Sequence, residues 1–173
     1  MRYLFLISFF FASVFVNGQS DSKFKYSKAL LEGKWYVVAT NFPMWLDKKN
    51  DDPNFNYTNF REKNGKLIFD DCVMYSKNKS PKKIKGKDKQ KHSDELKFSW
   101  RGKGLLSLFK SNWRVIASDK EGRWLVIYST RTLVSPEGVD VISRKKDLSE
   151  KEIHGILAHL DKKYIKKPMQ ILF

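Results

Sequence analysis

Cysteine is almost missing from this chain. Cys72 stands alone, so no internal disulfide is possible and packing alone must hold the fold. In its strand-like context the thiol reads as a small buried hydrophobe rather than a reactive group. Histidine is equally sparse. His92 follows a lysine run, and His154 and His159 lie five apart, off one helical face, so the three make no metal site. There is no nucleophile elbow, and the adjacent Asp70 and Asp71 point to opposite faces of a strand, a poor acid/base pair. Catalysis, cofactors and metals therefore find no support, and no enzyme is expected. No internal repeat is evident. Acidic residues are few, 19 against 34 basic ones, for a formal charge of +15. Such a surface favours anionic partners: lipid headgroups, envelope polymers or nucleic acid.

What is present begins with an export signal. Arg2 precedes an almost unbroken apolar run from Tyr3 to Val16, too short and too early for a spanning helix. Val16 and Gly18 put small residues before a cleavage site at Gln19, and no cysteine follows it, so a periplasmic or secreted protein without a lipid anchor is expected. Residues 19–30 read as a loose polar lead-in, and 31–173 as one domain.

That domain reads as strands. Gly33-Lys34-Trp35-Tyr36-Val37-Val38-Ala39 opens the first, at about 33–41, with Trp35, Val37 and Ala39 on one face. Strands follow at 55–62 and 67–76, joined by Lys63-Asn64-Gly65-Lys66, the strongest hairpin signal in the chain. Residues 77–91 hold eight lysines; Lys83, Lys85, Lys87, Lys89 and Lys91 share one parity, opposite Ile84, Gly86, Asp88 and Gln90. This reads as a loop and an edge-like strand with a solvated lysine row. Further strands fall at 95–101, 113–118, 123–132 and 139–144. The period then changes: Ser149 and Glu152 form a capping box, and Ile153, Ile156, Leu157, Leu160 and Tyr164 mark one face of a helix ending before Pro168. A short strand, 169–173, closes the chain. Eight consecutive strands, one C-terminal helix and a final strand predict an all-β fold, an eight-stranded up-and-down antiparallel barrel whose interior is wide enough for one small ligand.

In this setting three motifs resemble the lipocalin family, nearest its bacterial lipocalin and apolipoprotein D branch. Gly33-Lys34-Trp35-Tyr36 is similar to the family's G-x-W opening. Ser118-Asp119-Lys120 keeps only the aspartate of its T-D-Y turn, and Ile142-Ser143-Arg144 fits its closing arginine. The resemblance implies a closed end sealed by Gly33, Trp35 and Arg144, with the guanidinium across the indole, a sensible cation–π contact. It departs at Asp140, where the family has a tryptophan, and in lacking the disulfides of animal members.

With Trp35 facing inward, parity assigns to a ligand-binding interior Val37 and Ala39; Phe98 and Trp100; Trp113, Val115 and Ala117; Trp124, Val126 and Tyr128; and Asp140 and Ile142. The expected guest is a small hydrophobic or amphipathic molecule of fatty acid or lysophospholipid type. At the opposite end from Trp35, parity collects Trp45, Leu105, Leu106, Leu108 and Phe109 beside Lys77, Lys79, Lys82 and Lys83, a rim suited to an anionic membrane surface. The alternative is a basic interaction module with a filled barrel, binding anionic envelope polymers or nucleic acid. Lysines without interleaved exposed aromatics fit non-specific charge attraction better than specific nucleic-acid recognition.

Overall fold

The computed structural model describes residues 18–93, 95–133 and 135–172. The export-signal reading of residues 1–18 falls, apart from Gly18, outside them. Helix α1 (Gly18–Leu31) precedes strand β1 (Gly33–Thr40), and a one-turn helix α2 (Pro43–Leu46) follows. Then come β2 (Asn50–Lys63), β3 (Lys66–Lys77), β4 (Ser80–Gln90), β5 (Lys97–Gly102), β6 (Lys110–Ser118), β7 (Trp124–Ser129) and β8 (Gly138–Ser143). Helix α3 (Glu150–Ala158) and a two-residue strand β9 (Gln170–Ile171) complete the chain. The strands run antiparallel in the order β2-β3-β4-β5-β6-β7-β8-β1-β9, and pairing of β1 with β2 closes the barrel. Closure gives each of the eight staves a neighbour on both sides over part of its length.

The sequence explains most joints. Asn64 and Gly65 both take positive φ, the turn that the twist of a two-residue hairpin needs. The β3–β4 joint is equally tight. Asn78 and Lys79 take positive φ there, so the expected loop is a turn, and β4 starts at Ser80. Strand β4 is an inner stave rather than an edge strand, pairing with β3 over Ser80–Lys89 and with β5 over Gly86–Gln90. Its parity holds: the lysines at 83, 85, 87 and 89 are exposed, while Gly86, Asp88 and Gln90 are buried.

The expected loose lead-in is instead helix α1. Its last turn lies across the barrel base, where Leu30 and Leu31 are buried and the carbonyl of Leu31 accepts from the Trp35 indole at 2.7 Å.

Helix α3 packs outside the barrel, seating Ile153 and Ile156 on Val38, Ala39, Val126, Val139 and Val141. Ser149 Oγ accepts from the Glu152 backbone N–H and the Glu152 carboxylate accepts from the Ser149 N–H, the reciprocal box expected. The helix stops at Ala158, short of the expected end; Tyr164 still reaches the outer wall, against Tyr128 and Arg114. Replacing Ser149 with alanine is expected to cost about 1 kcal/mol in urea denaturation. A cost near zero would mean that the box does not hold this end.

Candidate ligand chamber inside the barrel

The base of the chamber is a sealed joint. Trp35 is fully buried, and the Arg144 guanidinium carbon stands 3.6 Å from its ring centroid. Arg144 donates to the carbonyls of Lys34 (3.3 Å) and Leu30 (3.1 Å), tying β8 to β1 and α1. Burial lowers its pKa. Gly33 has φ +103°, and a β-carbon there would stand 3.0 Å from Arg144 Nη1, so both backbone and neighbour call for glycine.

Above the base lies a tier of rings. Trp113 stacks on Phe98 (centroids 4.6 Å apart) and on Tyr57 (5.7 Å), and Phe69 meets both Tyr57 and Phe98 edge-on. These rings face one another because the inward parity of β2, β3, β5 and β6 is aromatic at matching heights.

The interior is not purely apolar. Asp71 on β3, Asp88 on β4 and Asp140 on β8 all point inward and are buried. Asp88 Oδ1 accepts from the Trp113 indole at 2.7 Å. The Trp100 side chain favours the charged form of Asp71 against burial, and Asp140 Oδ1 accepts from Thr40 Oγ1 at 2.5 Å. Burial pushes Asp88 and Asp140 up to about 7, against the opposing hydrogen bonds of Trp113 and Thr40. Asp71 is raised well above the carboxylate range, by burial first and then by Asp88. Tyr57 is raised by burial and by the charges of Asp71, Asp88 and Asp140.

Gly86 makes room for this arrangement. A β-carbon there would come within 2.0 Å of the Trp100 indole nitrogen, which lies directly over it. Gly86→Ala is expected to displace Trp100 and to cost about 1–3 kcal/mol in stability. An unchanged midpoint in denaturant would show that Trp100 does not lie there.

Of the lining expected from parity, Val37, Phe98, Trp100, Trp113, Val115, Asp140 and Ile142 are inside. Five residues are not. A β-bulge between Val37 and Ala39 turns Val38 and Ala39 both outward and returns Thr40 to the interior. A second, between Val115 and Ala117, sends Ala117 outward, so Leu125 and Ile127 line the chamber. Trp124, Val126 and Tyr128 consequently face outward, with the α3 layer. Cys72 takes the outward parity of its strand, opposite to Asp71, so its thiol does not line the chamber. Asp70 is outward too, and pairs with Lys103 at 3.0 Å. Parity also missed all the lining of β2, β3 and β4; alternation in Leu67, Phe69, Asp71 and Val73 was the available signal.

At the other end, the β1–β2, β3–β4, β5–β6 and β7–β8 connections share the mouth. The β5–β6 connection presents Leu105 (97% exposed), Leu108 (89%) and Phe109 (40%) to solvent, while Leu106 is half-buried. Lys77, Lys79, Lys82 and Lys83 are exposed on and beside the neighbouring turn. Trp45, expected on the rim, is buried instead: it closes edge-on against Tyr75 at 5.6 Å and belongs to the interior cluster. Where β2 parts from β1, a cleft of about 320 Å³ runs past Val37 and Trp45, with Asp51 and Asp52 among its lining residues.

A closed eight-strand barrel with an outer helix and a tryptophan–arginine base has the architecture of a calyx. The Lipocalin-like domain family matches residues 29–169, and the chain belongs to that family. Among solved structures, the siderocalin Ex-FABP, described as functioning through dual ligand specificities, is similar in fold. It is 17% identical with a TM-score of 0.60, and the match covers 83% of this chain and 93% of that one. Siderocalin Q83, described as showing a dual ligand binding mode, is 20% identical with a TM-score of 0.58, covering 85% and 91%. No curated protein sequence matches the chain.

Proposed function

We propose that this chain is an exported, non-enzymatic carrier that holds one small amphipathic molecule inside its barrel. The observation that carries this reading is the interior itself, where stacked rings stand beside inward-facing polar groups above a sealed base. Membership of the family and the two siderocalin neighbours support a small-molecule carrier. The Arg2-led apolar segment supports export to the periplasm or medium.

Fatty acid and lysophospholipid meet this interior differently. A free carboxylate at the depth of Asp71 and Asp88 would add an anion to buried acids, so a fatty acid enters only tail first. A lysophospholipid keeps its phosphate among the mouth lysines with its tail against the rings. The mouth also supports docking to an anionic membrane, with Leu105, Leu108 and Phe109 inserting beside the lysines. Native mass spectrometry of protein isolated under gentle conditions is expected to show the chain plus one small guest; the bare chain alone counts against a carrier. Co-sedimentation is expected with anionic vesicles. Equal binding to neutral vesicles would remove the lysines from the docking, and loss of all guests with retained polyanion binding would favour a basic interaction module.

A further inference from the structure

The three inward acids are the least expected feature of a chain whose formal charge is +15. Asp71 and Asp88 sit at diagonal positions on paired strands, since Asp71 lies opposite Gly86 and Phe69 opposite Asp88. Each has one buried oxygen, Oδ1 of Asp71 and Oδ2 of Asp88, with no hydrogen-bond partner among the described residues. A buried carboxyl oxygen left without a donor is costly, and two side by side repel each other when charged. An indole donor holds Asp88 in place: Trp113 N–H donates to it at 2.7 Å. Beside them, the Tyr57 and Trp113 rings stack on each other and form an apolar wall next to the two acids.

We propose that the interior takes an organic cation, a protonated primary amine on a flat or short apolar body, whose ammonium group bridges the free oxygens of Asp71 and Asp88 against the Tyr57–Trp113 rings. The inference rests on the carrier reading and names its guest. An ammonium has three donors, which supply both orphaned acceptors at once, and its single charge balances one ionised carboxylate of a pair that burial otherwise keeps protonated. A neutral alcohol of the same shape brings one donor for two acceptors, and a carboxylate brings none. Among the described residues no group of three or more acids, histidines or cysteines is arranged for a metal ion, which favours the organic cation over an inorganic one.

The test is isothermal calorimetry on the full chain with phenethylamine, tryptamine and octylamine, each beside its neutral alcohol analogue, and with laurate. At least one amine is expected to bind, about tenfold or more tighter than its alcohol. Asp71→Asn and Asp88→Asn, each still melting cooperatively, are expected to lose at least about tenfold in amine affinity while keeping laurate or alcohol binding where wild type shows it. Equal affinity for amine and alcohol, unchanged affinity in both variants, or silence from all three amines overturns the proposal. Laurate binding with no amine binding overturns it and leaves the carrier reading standing; a guest-free chain in native mass spectrometry removes both. Should a variant unfold, the wild-type Trp113 indole N–H resonance decides. It is expected to shift with the amine and stay in place with the alcohol, and an unmoved resonance overturns the proposal.

Discussion

Trp35→Ala is expected to remove about 3–5 kcal/mol of stability in urea denaturation. The indole is fully buried at the base, donates to Leu31, and carries the Arg144 guanidinium on its face. Deleting it opens a cavity and strands a half-buried cation whose remaining partners are backbone carbonyls. Arg144→Ala is expected to cost less, about 1–2 kcal/mol, because the base keeps its ring. The double variant should fall short of the sum, since both changes break one joint. A loss below about 1 kcal/mol for Trp35→Ala would mean that the base is not closed by this pair.

The second large effect is a loss of stability as the pH rises. Asp140 and Asp88 titrate at about 7 when folded, against about 3.9 in an unfolded chain. Between those values the folded state binds more protons. Their contribution is therefore fully present below about pH 4 and is lost as the pH climbs through 7. For Asp140 the span is of the order of 4 kcal/mol, and its burial leaves little solvent to screen it. Asp70, Asp119 and Glu152, whose partners lower their pKa values, act in the opposite sense and are lost only at acid pH. The melting temperature of the guest-free protein is thus expected to peak near pH 5 and to fall toward pH 8. Asp140→Asn should flatten that fall, matching wild type at pH 5 and exceeding it at pH 8. A melting temperature that rises from pH 5 to pH 8 would contradict neutral acids inside the barrel.

The barrel was legible in the sequence wherever one residue type forces one local geometry. Asn64-Gly65 forces a tight hairpin, Ser149 with Glu152 forces a helix start, and Gly33-Lys34-Trp35 with Arg144 marks a sealed base. Other features depend on tertiary context. Helix α1 carries little apolar periodicity and is fixed by burial of Leu30 and Leu31 under Trp35. The Asn78-Lys79 turn lacks the glycine that would have announced it. The two bulges have no sequence signature, yet each flips every side chain beyond it. That displaced Ala39 and Ala117, and with them Trp124, Val126 and Tyr128. The acids were visible as letters, but only closure of the barrel brings Asp71, Asp88 and Asp140 around Tyr57.

Those same bulges make the tryptophans good reporters of where a guest sits. Trp100 and Trp113 point into the chamber, Trp124 faces outward, and Trp35 and Trp45 stand at base and mouth. The decisive measurement is a ¹H–¹⁵N spectrum of the five indole N–H groups during titration with the amines, laurate and a lysophospholipid. A guest held in the barrel moves Trp100 and Trp113 and leaves Trp124 in place. Shifts confined to Trp124, or to backbone amides of the β4 lysine face, would place the ligand outside the wall and contradict a carrier.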